Sequence, residues 1–338
     1  MKAVGYRKSL PVSAPDCLID FTADKPVPGR RDLCVAVKAV SVNPVDTKVR
    51  MRAEPEAGAP PKVLGFDAAG VVEAVGPEVT LFKPGEEVFY AGSIARPGSN
   101  AEFHLVDERI VGAKPNNLSF AEAAALPLTG ITAWEMLFDR LGVKRGDGQE
   151  KRALLIIGGA GGVGSMLIQI ARQLTGLTVI ATASRAETRA WCLKRGAHHV
   201  IDHSKSLARE LKSIGHDTVA LIASLTATEQ HYPAVPEIVA PQGKFALIDD
   251  PKTLDALPLK RKAVSLHWEA MFVRPMFATP DMIAQHELLN EISGLVDAGA
   301  IVTTATKELT PIDAANLREA HRLIESSRTI GKVVLHGW

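Results

Sequence analysis

An α/β fold, in which a doubly wound parallel domain is joined to a β-barrel-type domain, is what the sequence predicts on three observations. The apolar run Ala153-Leu154-Leu155-Ile156-Ile157 leads directly into Gly158-Gly159-Ala160-Gly161-Gly162-Val163-Gly164. Strand-like and helix-like segments alternate from about Leu128 onward. Before about Pro127 the pattern is instead short β-branched runs broken by Pro and Gly.

Taken in order, the runs at 33–37, 70–76 and 87–90 are short strands with glycine corners, as in a barrel-like β domain. The run 153–157 lacks polar alternation and reads as a strand covered on both faces. After the glycines, Val163, Leu167, Ile170, Ala171 and Leu174 fall on one helical stripe, leaving Gln169, Arg172 and Gln173 off it. Further strands are expected at 178–182, 200–202, 218–222 and 244–248, each separated by a helix-length segment, which is the doubly wound arrangement. A helix at 312–326 and a final strand at 332–335 are taken to return to the first domain. The expected division is therefore 1–127 with 300–338, and 128–299 between them.

Within the turn, Gly159, Gly161 and Gly164 have the G-x-G-x-x-G spacing, with Gly162 and Val163 opening the helix. That spacing allows a tight turn, close backbone approach to a phosphate and close helix-strand packing, and the first N–H groups of the helix face the anion. A purely structural corner is the alternative. The next strand ends where a protein selecting the non-phosphorylated dinucleotide usually places Asp or Glu on the ribose, yet no acidic residue lies between Leu177 and Ala186. Ser184 and Arg185 stand there, a hydroxyl and a guanidinium suited to a 2′-phosphate, so NADPH is expected over NADH. The bland reading is a capping box, Ser184-Arg185-Ala186-Glu187.

The 338 residues are 46% hydrophobic, with 39 basic and 38 acidic side chains and a net charge of +1. Such a balance offers no footprint for nucleic acid or anionic lipid, and no window approaches a membrane span. Small-molecule substrates and a cytoplasmic location are expected. Cys17, Cys34 and Cys192 are odd in number and far apart, which fits neither a disulfide framework nor a cysteine-rich zinc lobe.

Several stretches together resemble the medium-chain dehydrogenase/reductase superfamily and, within it, the quinone-oxidoreductase branch. They are Asn43-Pro44-Val45-Asp46-Thr47, Leu64-Gly65-Phe66-Asp67-Ala68-Ala69-Gly70, Lys83-Pro84-Gly85-Glu86, Ala125-Leu126-Pro127-Leu128-Thr129-Gly130, the glycine turn, and Gly331-Lys332-Val333-Val334. Phe89-Tyr90-Ala91-Gly92-Ser93 and His267-Trp268-Glu269-Ala270-Met271-Phe272 look like a subgroup labelled zinc-type alcohol dehydrogenase-like. The resemblance implies a Rossmann domain beside a GroES-like catalytic domain, and a homodimer or tetramer. In zinc members the first ligand is the Cys of a C-G-x-D stretch, which here reads Asn43-Pro44-Val45-Asp46, and the next is the His of G-H-E, here Gly65-Phe66-Asp67. With 123–131 free of Cys, His and carboxylate, a catalytic zinc is not expected.

By the same resemblance, Asn43 and Asp46 would lie near the nicotinamide, and Thr129 and Ile248 near its ribose or carboxamide. Met271 and Phe272 would line the substrate pocket, and Phe272 and Lys332 would also adjoin the cofactor. His203 follows a strand where related reductases often place a Tyr on the 2′-phosphate. Tyr90 is the candidate hydroxyl for a developing oxyanion, or else a half-buried strand residue. Asn43 is alternatively a turn residue, Asp46 a helix cap and Ile248 plain core. Glu54 stands where many quinone reductases of the branch have Tyr before the proline. The expected activity is zinc-independent reduction of a quinone, an α,β-unsaturated carbonyl or a related ketone by NADPH. Its rivals are a zinc-dependent alcohol dehydrogenase with atypical ligands and a non-catalytic NADPH-binding redox sensor.

Overall fold

The structure, a computed structural model, describes residues 1–146 and 151–338. The chain forms two compact units, Thr132–Met271, and Met1–Ile131 together with Phe272–Trp338.

In Thr132–Met271 six strands form one parallel sheet. Across it they run His199–Ile201, Thr178–Thr182, Ala153–Ile157, Val219–Ser224, Val239–Leu247 and Ser265–Trp268. In chain order this is third, second, first, fourth, fifth, sixth, the arrangement of a doubly wound dinucleotide fold. Strand Ala153–Ile157 is buried along its whole length, which is why its sequence shows no polar alternation. Leu155, Ile157, Ile180, Ile222, Phe245 and Leu247 belong to one buried cluster on this sheet. The winding reverses beside Ala153–Ile157, so the glycine turn sits at the switch point. Helix Gly162–Leu174 buries the expected Leu167, Ile170 and Ala171, and also Gln169. Periodicity leaves Gln169 off the buried stripe, but its Nε2 donates to Ser165 O at 3.3 Å, which satisfies the amide within the helix.

The other unit is built on the eleven-residue strand Asp32–Val42. It pairs antiparallel with Ala68–Val75, Phe103–Asp107 and Lys332–His336, with register shifts after Cys34 and Val37. Strands Glu87–Tyr90, Val111–Ala113 and Ala305–Leu309 complete a seven-stranded sheet, and Lys2–Tyr6 centres a separate three-stranded one. Pairing with Lys332–His336 carries the late segment back to residues 33–42.

Residues 272–299 depart from the expected division, which placed them with the parallel sheet. They group instead with the β-rich unit, because helix Ala284–Asp297 is anchored there. Asn290 Oδ1 accepts the Ala113 N–H at 2.8 Å, Asp297 receives Asn116 and Asn117, and Leu289 lies over Gly112. No helix of the described residues is long and apolar enough to cross a membrane.

A Cβ on Gly112 would lie 2.6 Å from Leu289 Cβ and 2.7 Å from Phe89 Cε1. Gly112→Ala should therefore destabilise the protein by about 1–3 kcal/mol through overpacking. A thermal melt of the variant reads this; an unchanged midpoint would contradict the packing of Ala284–Asp297 on this strand.

Candidate functional site

The glycine turn in Thr132–Met271 is shaped for backbone rather than side chains. Gly158 has φ +90°, and a Cβ on Gly164 would sit 2.4 Å from Gly158 O. At Gly161 the nearest atom to such a Cβ is 3.7 Å away, so the turn is open there. Gly161 is the N-cap of helix Gly162–Leu174, and no side chain caps that end. Gly161, Gly162 and Val163 are half-buried, whereas Gly159 and Gly164 are buried. Uncapped N–H groups on a thirteen-residue helix, reached through an open glycine, fit a dinucleotide's pyrophosphate.

The adjoining strand ends differ in one respect from expectation. The chain stays extended through Arg185, with φ −96° and ψ 149°, so Arg185 rather than Ser184 is the N-cap of helix Ala186–Arg195. The Thr188 hydroxyl accepts the Arg185 N–H at 3.2 Å and donates to Arg185 O at 2.8 Å. The Ser184–Glu187 capping box does not form. Ser184 is exposed, and Glu187 pairs with the Arg185 guanidinium at 3.1 Å. His203 Nδ1 lies 3.1 Å from Thr182 Oγ1. Ile248 is half-buried just past Val239–Leu247, its N–H donating to Ser224 O at 3.3 Å.

In the β-rich unit Asn43, Asp46, Asp67 and Lys332 come together out of water, each at most 3% exposed. Asn43 is the N-cap of helix Pro44–Arg52, and Asp46 closes the capping box by accepting the Asn43 N–H at 2.8 Å. The other Asp46 oxygen accepts Gly65 N–H at 3.0 Å. Asn43 turns its side chain away from the helix. Its Nδ2 donates to Asp67 Oδ2 at 2.7 Å, and its Oδ1 accepts from Lys332 Nζ. Lys332 Nζ also donates to Asp67 Oδ2 at 2.9 Å and to Val42 O at 3.1 Å. Asp67 Oδ1 accepts the Leu128 N–H at 2.7 Å, at the start of helix Pro127–Trp134, where the helix dipole favours an anion.

The electrostatics follow from the burial of two carboxyls, one of them bonded to the Lys332 ammonium. Burial pushes the Asp46 carboxyl up to about 7, against its two backbone N–H bonds and the Lys332 charge. Burial likewise raises Asp67, against Lys332 and Asn43. Asp46 is thus a buried group able to hold a proton at neutral pH. Lys332, expected beside the cofactor, has its three N–H donors directed to Asn43, Asp67 and Val42, which leaves none for a phosphate.

Tyr90 is also placed differently from its expected role. It is fully buried, and its ring stacks on His104 at 5.5 Å. His104 Nε2 lies 2.9 Å from Pro97 O, an acceptor only, so Nε2 carries the hydrogen and Nδ1 accepts the Tyr90 hydroxyl at 3.1 Å. Burial pushes His104 down to about 4 and raises Tyr90, so both stay neutral at ordinary pH. With its hydroxyl hydrogen donated to His104 and no exposed surface, Tyr90 serves the fold. Thr129 bonds back to Ala125 O and Leu126 O, just before its helix, at 3.3 and 3.2 Å. Phe272 and Phe66 meet edge to face at 5.4 Å, forming an apolar wall.

Sequence reasoning missed Asp67 as a partner of Lys332, and missed His104. One signal for the first was present: a lone carboxylate in the run Leu64–Val72 and a lone ammonium ahead of Val333-Val334-Leu335, each needing a partner if buried.

Two family models match: an alcohol dehydrogenase GroES-like domain over residues 29–132, and a zinc-binding dehydrogenase over 195–335. A zinc-type alcohol dehydrogenase-like protein of Staphylococcus aureus is 43% identical over 340 residues, 99% of this chain and 100% of the relative. The 2-methylene-furan-3-one reductase of Solanum lycopersicum is 30% identical over 316 residues, 89% of this chain and 71% of the relative. Among solved structures, a Rhizobium etli protein described provisionally as a zinc-dependent alcohol dehydrogenase superposes with TM-score 0.96 at 59% identity, covering 100% of this chain and 98% of that one. A mycobacterial protein complexed with NADPH superposes with TM-score 0.83 at 27% identity, covering 99% and 100%.

Several of those descriptions name zinc, and the residues here do not fit it. Phe66 has no donor atom, and the Asn43 and Asp67 side chains are bound to each other and to a lysine ammonium, whose charge would repel a dication. Among the described residues no group of three or more His, Cys, Asp or Glu is placed to hold a metal ion.

Lys332→Met would leave Asp67 buried without its cation, and should lower the unfolding free energy at pH 7 by about 3–5 kcal/mol. Because burial raises Asp67, the loss should shrink as acid protonates it, which urea titrations at pH 5 and 7 would read. Asp46 tests the opposite partner. Its native value near 7 exceeds the ordinary aspartate value of about 3.9, so the native state holds a proton that the unfolded chain has released, and stability falls as pH rises between them. Asp46→Asn should flatten that slope by up to about one proton; an unaltered slope would rule out Asp46 as the titrating group.

Proposed function

Because the chain belongs to the medium-chain dehydrogenase/reductase superfamily of oxidoreductases, in its quinone-oxidoreductase-like branch, we propose that it reduces quinones, α,β-unsaturated carbonyls or related ketones with NADPH and without a catalytic metal. The observation that carries this reading is the Lys332 ammonium seated on Asn43 and Asp67, where zinc enzymes of the superfamily need ligands. A metal polarises a simple carbonyl; without one the acceptor must spread the incoming charge over its own π-system, as a quinone or enone does.

When bound, NADPH supplies the hydride. The chain's part is to bind, orient and exclude water. Gly162, Val163 and Gly164 present backbone N–H groups to the pyrophosphate, with Gly159 underneath and Gly161, its own N–H turned to Gly158 O, leaving the approach open. Ser184 and Arg185 receive the 2′-phosphate, and Ile248, at the end of strand Val239–Leu247, is assigned to the nicotinamide half. Asn43 and Asp46, in the buried cluster of the β-rich unit, and Thr129, bonded to Ala125 O and Leu126 O, are assigned to the catalytic side of the reaction. The cluster fixes one positive charge beside two carboxyls, and Asp46 holds a proton there near neutrality. Phe66 and Phe272 give the apolar wall that a conjugated acceptor needs. The relatives' names support this: the tomato protein is a reductase of an enone-type furanone, and the mycobacterial neighbour binds NADPH. A cytoplasmic homodimer or tetramer acting on small molecules completes the proposal.

The test is oxidation of NADPH and of NADH, followed at the nicotinamide absorbance, with a quinone, an enone and a simple aldehyde, each with and without chelator. NADPH-preferring, chelator-insensitive reduction of the conjugated acceptors is expected. Aldehyde reduction abolished by chelator would establish a metal enzyme instead, and tight NADPH binding without turnover on any acceptor would establish a sensor. Arg185→Ala should weaken NADPH by about tenfold or more while leaving NADH nearly unchanged; equal losses would overturn the 2′-phosphate assignment.

A further inference from the structure

Two histidines, His203 just past strand His199–Ile201 and His231 at the end of the short helix Thr228–His231, are not explained by packing alone. Thr182 pairs in register with Ile201, so Ser184 and His203, each two residues farther on, leave neighbouring strands at the same level. His203 is joined to the glycine turn through one hydroxyl: the Gly158 N–H donates to Thr182 Oγ1 at 3.1 Å, and Thr182 Oγ1 meets His203 Nδ1 at 3.1 Å. Behind it stands His231, 7% exposed, with ring centroids 5.7 Å apart and planes inclined by 59°. Among the described residues no hydrogen bond holds His203 Nε2, and none holds either ring nitrogen of His231.

We infer that His203, backed by His231, is a proton-dependent selector for the phosphorylated cofactor, taking up a proton as the 2′-phosphate dianion arrives beside Ser184. The inference rests on the NADPH reading above. Thr182 makes the uptake possible without breaking a contact. Its oxygen already accepts from Gly158, and its own hydrogen can donate to a neutral Nδ1; once Nδ1 is protonated, the same oxygen has a second lone pair to accept from it. Nε2–H is directed to the phosphate in both states, and a charged imidazole gives the stronger bond.

The charged neighbours are consistent with a ring that is neutral before ligand binds. Burial lowers His203, and Asp202 opposes that; the Asp202 carboxylate is itself engaged by Ser204 at 2.9 and 2.7 Å and lies 3.9 Å from Lys205. Burial and His203 lower His231, and Asp249, which accepts from Thr228, opposes them. Arg189, donating to Ala183 O and Val200 O, and Arg185, paired with Glu187, are the cations at these strand ends. A dianion shared between Arg185 and His203 still meets an uncharged imidazole there and draws a proton onto it, since an opposite charge within a few ångström favours the charged form.

Proton uptake and affinity are both measurable on the intact chain without turnover. Calorimetric titration of NADPH and of NADH in two buffers of different ionisation enthalpy at pH 7.5 should show uptake of close to one proton for NADPH and none for NADH. Between pH 6.5 and 8.5, where the cofactor's phosphate (pKa about 6) is mostly dianionic, the NADPH Kd should rise by up to about tenfold per pH unit, with a flat NADH Kd. His203→Gln, which keeps a side-chain amide near Thr182, should abolish the uptake and the slope together. His231→Gln should reduce the slope while leaving an NADPH preference. NADPH preference with no proton uptake in the native chain, or uptake that persists in His203→Gln, overturns the inference and leaves the cofactor reading standing. Equal affinity for the two cofactors at every pH overturns both.

Discussion

A buried ammonium is the constraint on which the β-rich unit depends. Lys332 gives its charge to Asp67 and its remaining donors to Asn43 and Val42, so a residue from the strand Lys332–His336 satisfies groups on the strand Asp32–Val42 and in the loop before Ala68–Val75. Taking such charges out of water is costly, and the cost is offset only because every polar atom of the lysine finds a partner. The hydrophobic pairing of the strands and the polar cluster reinforce each other: pairing brings the lysine to the carboxylate, and the carboxylate makes its burial tolerable. Asp67 then extends the arrangement by taking a backbone N–H at the start of Pro127–Trp134.

The same cluster, together with the donorless Phe66, is the reason the residues at 43, 66 and 67 do not fit zinc, although several relatives are named for it. A zinc centre concentrates a dication on deprotonated ligands; here a single, non-exchangeable positive charge is built into the polypeptide. Burial is the main reason Asp46 retains a proton to about neutrality, and the neighbouring Asp67 charge adds to it while Lys332 opposes it. Asn43 suits this setting because an amide can accept from the lysine and donate to Asp67 at once, whereas a thiolate could do only the first.

Much of the parallel unit was legible in the sequence. Periodicity placed the strands Ala153–Ile157 and Thr178–Thr182, and the glycine spacing placed the turn between sheet and helix, because local steric demands act within a few residues. The family resemblance was legible too, from motifs spread over the chain. What local reading could not supply was partnership across sequence distance. Asp67 and Lys332 are separated by 265 residues, and Tyr90 looked like a catalytic hydroxyl because nothing nearby in sequence announced His104 as its acceptor. The helix Ala284–Asp297 was misassigned for the same reason: its apolar face is plain in the sequence, but the surface that receives it is not. Cap position was missed on a finer scale, since Ser184 and Thr188 both have hydroxyls and only the extended backbone at Arg185 decides between them.

The division of the chain also bears on the order in which it is synthesised. Thr132–Met271 is one continuous segment, whereas the β-rich unit needs residues from both sides of it. Domains fold as units during translation, earlier segments first. Asp46 and Asp67 emerge long before Lys332, so on the ribosome the strands that will bury them must wait, hydrated and unsealed, until the 265-residue interval from Asp67 to Lys332 has been made. The parallel sheet is free to form in that interval. Charge neutralisation by Lys332 thus becomes available to the first-made strands only after the whole segment of the parallel sheet has been made.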